Sequence, residues 1–233
     1  MNKILKERKI LDLAIPCLKE LFGEYQVDEN QKDRPDAALV TVSNAVGNSV
    51  YRVGVEITTV DPQNALEYIN EEKSINSYNN SRVNAFLQGK KLPEQVAKRA
   101  NFELGKMYIA DGVRAKAVKY NAYHKEGDFK YMVLLASSTL LPDNSEIIRY
   151  HVQWANYILS EESCPFDHVI LVLEKTKKCI KIYSKKQPSK IKPVDDMEPT
   201  IEIMHTGFLP IGRGSLGSPT IPPAIPLPKK KKR

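Results

Sequence analysis

Two stretches decide the fold: Arg34-Pro35-Asp36-Ala37-Ala38-Leu39-Val40-Thr41-Val42, and then Tyr51-Arg52-Val53-Gly54-Val55-Glu56-Ile57-Thr58. The first is a short apolar run rich in β-branched residues. The second alternates, with Tyr51, Val53, Val55 and Ile57 on one face, so both read as strands. Residues 43–49, Ser-Asn-Ala-Val-Gly-Asn-Ser, form a turn-rich link of the size that joins antiparallel neighbours, which predicts a hairpin. Side chains alternate with a period of two along a strand, so Arg52, Gly54, Glu56 and Thr58 share the face opposite the apolar set, and Gly54 is expected to leave open space beside Glu56. Pro35 lacks an N–H and suits a strand edge, which puts Asp36 at a strand start where Glu56 can approach it. Two carboxylates so placed repel unless a cation or a proton lies between them, and hard oxygen ligands with room for water favour Mg²⁺ or Mn²⁺. The same letters also suit a hairpin with solvated acids on its outer face.

Upstream, Ile4, Leu11, Ala14, Ile15, Leu18 and Phe22 recur at helical spacing, and Glu7 falls near the middle of that stripe. A carboxylate in an apolar stripe has to be protonated, paired or close to a metal; near a helix N-terminus the dipole also favours an acid. Pro16 is expected to kink or divide this helix. Downstream, Asp61 reads as an N-cap and Pro62 as the first residue of a helix running to about Tyr78.

The order Pro35-Asp36, about twenty residues, then Glu56-Ile57-Thr58 closing a strand resembles the PD-(D/E)xK nuclease superfamily. The resemblance implies a restriction-endonuclease-like α/β fold, a mixed β-sheet flanked by helices, spanning roughly Glu7 to Ser184. It implies a metal site formed by Asp36, Glu56 and the carbonyl of Ile57, with Glu7 on the preceding helix as a further ligand. Thr58 stands where the family usually carries the lysine that positions the attacking water and stabilises developing charge. Lys73, on the following helix, is the expected substitute, with Glu72 as a neighbouring acid. The function implied is Mg²⁺-dependent (or Mn²⁺-dependent) hydrolysis of phosphodiester bonds in DNA or RNA. The rival is a catalytically inactive nuclease-like fold that binds nucleic acid or protein.

The rest of the chain fits an α/β core. Tyr25 to Asp28 reads as a first strand, Leu92 to about Tyr120 as helical with Gly105 and Gly112 weakening continuity, and Phe129 to Ser137 as a buried strand. Asp143-Asn144-Ser145 caps a helix through Leu159, and Val169–Leu173 with Cys179–Tyr183 form a second hairpin.

Of the formal charge of +7 over 233 residues, Lys229 to Arg233 supply five and leave +2 elsewhere. Basic clusters at Lys90-Lys91, Lys98-Arg99, Lys175 to Lys181 and Lys185-Lys186 suit a phosphate-binding rim or solvated faces. A domain over 1–186 is therefore expected to precede a proline-rich, basic, mostly disordered tail over 187–233, in which Ile201-Glu202-Ile203-Met204 has the pattern of a docking strand. The partners expected are nucleic acid, with DNA first, a second copy of the chain as a homodimer, and an import receptor through Lys229–Arg233. Gly212-Arg213-Gly214-Ser215-Leu216-Gly217 matches a dinucleotide fingerprint in letters only, because prolines follow it instead of a helix. Cys17, Cys164 and Cys179 have no metal spacing and suit reduced thiols, and His151 reads as a helix residue and not a base. The charged first turns predict neither a secretory signal nor a membrane span, hence an intracellular protein.

Overall fold

A computed structural model of the chain describes residues 3–31, 34–42, 50–69, 80–81, 83–91, 98–125, 127–194 and 199–205. Helix α1 (Lys3–Phe22) leads into β1 (Tyr25–Val27), β2 (Ala37–Thr41) and β3 (Arg52–Thr59), followed by α2 (Gln63–Ile69). Then come β4 (Lys98–Glu103), α3 (Tyr108–Ala117), α4 (Tyr120–Lys125), β5 (Tyr131–Ser138), α5 (Ser145–Glu161), β6 (His168–Leu173), β7 (Lys178–Ser184) and β8 (Thr200–His205).

Six strands form one sheet in the order β1-β2-β3-β5-β6-β7. β1, β2 and β3 are successively antiparallel, β3, β5 and β6 are mutually parallel, and β7 returns antiparallel to β6. Parallel strands carry apolar residues on both faces and must be covered on both. On one face Val53, Val55, Ile57, Val133, Leu135, Ile170 and Val172 pack with Ile10, Leu11, Ala14, Cys17 and Leu18 of α1. On the other, Met132, Leu134, Ala136, Val169 and Leu171 pack with Ile109, Ala110 and Val113 of α3 and with Tyr150, Trp154 and Ile158 of α5. The result is a mixed α/β domain with a six-stranded sheet flanked by helices.

The buried stripe of α1 sits differently from the predicted one. Ile10 is buried, whereas Ile4 is 60% and Ile15 is 38% exposed. Pro16 neither ends nor divides the helix, which runs unbroken for 20 residues. The reason is its position: Pro16 and Asp12, whose carbonyl loses its N–H partner, both lie on the exposed face, where water can serve that carbonyl. The helix closes at Gly23, whose φ of 72° suits a residue without Cβ and whose N–H reaches Lys19 O at 2.9 Å.

The expected long helix over 92–120 is not one element. Lys98–Glu103 is a strand paired antiparallel with Thr200–His205, a partner about a hundred residues away, and only after Gly105 does α3 begin. The docking strand suggested by Ile201–Met204 is thus present as β8, beyond Gln187. Asn144 caps α5 as expected, its side chain accepting from the N–H groups of Glu146 at 2.9 Å and Ile147 at 3.2 Å.

The elements above belong to a compact unit of Met1–Glu72 with Lys98–His205; Lys73–Ala97 with Thr206–Arg233 forms another, whose described residues include a helical stretch over 83–87. Lys73, the Gly212–Gly217 segment and Lys229–Arg233 lie outside the described residues. No helix among the described residues is long and apolar enough to cross a membrane.

Candidate active site

Ala37 pairs with Val55 and Ala38 with Gly54, so the residue before Ala37 falls opposite Glu56. Asp36 and Glu56 therefore meet at the end of the β2–β3 ladder, as the hairpin reading expected. The Asp36 carboxylate takes over where β2 stops, its Oδ2 accepting the Ile57 N–H at 2.8 Å. A residue's N–H and C=O point to the same side of an extended strand, so the Ile57 carbonyl also faces this side, beyond the last paired residue of β2.

The segment leading to Asp36 is braced. Arg52 donates to Asp28 Oδ2 at 2.8 Å and to Gln31 Oε1 at 3.2 Å, and the Gln31 amide donates to the carbonyls of Arg34 at 2.8 Å and Pro35 at 3.2 Å. Gly54 does not open space beside Glu56. A Cβ there would lie 2.4 Å from Met132 Sδ and 3.1 Å from Pro35 Cγ, so Met132 and Pro35 fill the room that the missing side chain leaves. This contact seats Pro35, and with it Asp36, against the sheet.

Glu56 is 2% exposed, and Oε1 accepts from the ammonium of Lys116 on the last turn of α3. Its other oxygen, Oε2, has no hydrogen-bond partner among the described residues. Burial pushes the Glu56 carboxyl above its ordinary range; Lys116 opposes that rise, and the charge of Asp36 adds to it. Tyr123 of α4 stands close by. Burial first, and the neighbouring Glu56 second, push its phenol up to about 12, so it stays protonated as a donor.

Helix α3 is held by a buried network. Tyr108, its first residue, donates to Asp61 Oδ1 at 2.5 Å, and Ser138 donates to the same oxygen at 2.7 Å. Asp61 Oδ2 accepts from the Thr139 N–H at 2.7 Å and hydroxyl at 2.6 Å. Asp61 is therefore not the N-cap of α2. The N–H groups of Ala65 and Leu66 turn instead to the carbonyl of Pro62, each at 3.0 Å, while the Asp61 carboxylate ties α3 to the end of β5. Further along α3, Gly112 packs against Val60, where a Cβ would sit 2.7 Å from Cγ1 and 2.9 Å from Cα. That close approach brings Lys116 within reach of Glu56.

Together these elements enclose a cleft of about 460 Å³, in which Lys3, Arg34, Lys116 and Lys119 surround Asp36 and Glu56, with Val118, Ala122 and Tyr123 completing the wall. Glu7 stands at its margin. It pairs with Lys3 at 3.4 Å, is 20% exposed at its side chain, and is not among the residues lining the cleft. Thr58 is half-buried, its hydroxyl donating to the Thr59 carbonyl at 3.4 Å, and it does not line the cleft either.

The basic residues of the cleft lie outside every basic cluster legible in the sequence, because two helices and two connecting segments contribute them singly. Among the described residues, no three His, Cys, Asp or Glu side chains gather into one metal-binding group. The oxygens present still suit one hard cation. The unpartnered, buried Oε2 of Glu56, the Asp36 carboxylate and the Ile57 carbonyl belong to the same strand end, and water can fill the remaining positions. No protein-family model, curated protein or solved structure matches the chain.

Proposed function

We propose that the protein is a metal-dependent nuclease of the PD-(D/E)xK, restriction-endonuclease-like type, hydrolysing phosphodiester bonds in DNA or RNA, with Lys116 serving as the lysine absent at position 58. The reading is supported by the element order: a helix, three antiparallel strands, and a strand parallel to the third on its far side. The observation that carries it is the ammonium of Lys116 on Glu56, directly beside Asp36, in a cleft that four cations surround.

Asp36, Glu56 and the Ile57 carbonyl would hold Mg²⁺ or Mn²⁺. When bound, such an ion supplies Lewis acidity and a water of lowered pKa. Glu56 is fixed by burial, so its Oε2 presents a lone pair without side-chain reorganisation. Lys116 supplies a positive charge near that oxygen, suited to orienting a water and to stabilising charge that grows on a phosphate. Arg34, Lys119 and Lys3 add the field that draws a polyanion into the cleft.

Purified protein should degrade single- or double-stranded nucleic acid in Mg²⁺ or Mn²⁺; Asp36→Ala should abolish this and Lys116→Ala should slow it by about 10²-fold or more, neither unfolding the chain. Thr58 at the motif lysine favours the rival, an inactive binding module. Binding without cleavage in both metals would establish that rival instead.

A further inference from the structure

We infer that the cleft receives one unpaired nucleotide, which makes single-stranded nucleic acid the substrate class; the inference rests on the nuclease reading above.

Three observations lead there. The first is size. About 460 Å³ lies within the range of small-molecule sites and accommodates one nucleotide, whereas a base held in a duplex stays inside its stack and reaches no wall of such a cleft.

The second is the wall formed where α3 passes into α4. It interleaves cations with apolar surface: Lys116, Val118, Lys119, Ala122 and Tyr123. Val118 is 87% exposed, an apolar side chain standing in water beside two ammonium groups. A duplex shows the protein mainly phosphate and sugar on its outside, which offers Val118 nothing to cover it. An unstacked base can cover it while its own phosphate lies on Lys119.

The third is the chemistry of the cleft floor. Two acids, Asp36 and Glu56, line it, so an anionic phosphate can settle there only with the help of the cations around them. Those cations stand around both acids and next to the apolar surface, an arrangement matched to a ligand with one anionic and one flat apolar part.

The test measures binding of the whole chain, by fluorescence anisotropy in EDTA, to a single strand, to a hairpin duplex of equal nucleotide count, and to a mononucleotide. The Lys229–Arg233 run is present in every arm, so the preference between strand and duplex reads the cleft. The expected result is that the single strand binds about tenfold tighter than the duplex. Val118→Ser should weaken the single strand about fivefold and leave the duplex unchanged. Lys119→Ala should lower the single-strand salt slope by about 0.7. Equal affinity for duplex, or Val118→Ser without effect on the single strand, overturns the inference. A mononucleotide that binds as tightly as the strand overturns it too, making the ligand a free nucleotide. Because EDTA prevents turnover, the two readings fail separately. A strand preference without cleavage in Mg²⁺ removes the nuclease and keeps the cleft assignment, and cleavage with duplex preference does the reverse.

Discussion

Lys116, on the last turn of α3, donates to Oε1 of Glu56 in the middle of β3, across 60 residues of sequence. One partner is almost wholly buried and the other a quarter exposed at its side chain, so the pair is screened from water on the Glu56 side. An ammonium in that position competes with any second cation for the same carboxylate. Lys116→Met should therefore bind Mg²⁺ about tenfold more tightly, since a like charge a few ångströms away is removed. The same change should slow cleavage by about 10²-fold or more, the usual consequence of losing one group that stabilises transition-state charge. Titration calorimetry and single-turnover assays read the two effects. Weaker metal binding together with slower cleavage would make Lys116 a support for Glu56 and not a competitor.

Glu56→Gln isolates the consequence of the buried charge for stability. Burial raises the folded pKa of Glu56 above the ordinary 4.5, so the native state holds its proton longer than the unfolded chain. Stability from this group is full below pH 4.5 and falls as pH rises through the folded value. Glutamine carries no such charge. The variant should thus match the parent near pH 4 and gain on it progressively above pH 4.5 in denaturant titrations. A gap that shrinks as pH rises would mean that Lys116 more than compensates the desolvation of Glu56.

Gly112→Ala tests how α3 is set. In an exposed helix interior this change stabilises by about 1 kcal/mol. Here the new methyl would meet Val60 at 2.7 Å and 2.9 Å, the second contact being backbone, which cannot swing aside. Overpacking of this kind costs about 1–3 kcal/mol, so the net result should be a loss, seen as a fall of roughly 2–4 °C in Tm for each kcal/mol. Cleavage should drop as well, because α3 carries Lys116. A rise in Tm would show that the Val60 contact yields freely and does not fix the helix.

The carboxylate pair was legible because it depends on local periodicity. Alternation along Val53-Gly54-Val55-Glu56-Ile57 and one short link set the register that puts Asp36 opposite Glu56. The brace from Gln31 and the filling of Gly54 by Met132 were not legible, since neither follows from spacing. Lys116 was hidden for a stronger reason. Its helix begins only after Lys98–Glu103 has paired with Thr200–His205, and that pairing is decided about a hundred residues further on. Read locally, Leu92 to Tyr120 looks like one interrupted helix, and a wheel drawn over it points Lys116 nowhere in particular. Asp61 misled for a related reason: the sequence Asp-Pro before a helix has the form of a cap, but four donors from α3 and the end of β5 claim its carboxylate.

His151 should govern part of the acid limb of unfolding. It is 1% exposed, its ring lies between those of Tyr108 and Tyr150 at centroid distances of 5.4 Å and 5.1 Å, and neither nitrogen has a hydrogen-bond partner among the described residues. Burial lowers its pKa from 6.5 to about 4. Between these values the unfolded chain takes up a proton that the native state refuses, so stability rises with pH across the interval and is lost as pH falls from 6.5 toward 4. The loss attributable to this residue is about 3 kcal/mol over the whole interval. Phenylalanine keeps an aromatic ring between the two tyrosines and cannot be protonated. His151→Phe should leave stability at pH 7.5 within about 1 kcal/mol of the parent and make the slope from pH 6.5 to 5 distinctly shallower, the opposite trend to that of Glu56. Urea unfolding at half-unit pH steps measures both. If the slope in the variant equals that of the parent, His151 is not the group taking up the proton, and the acid limb belongs to other groups.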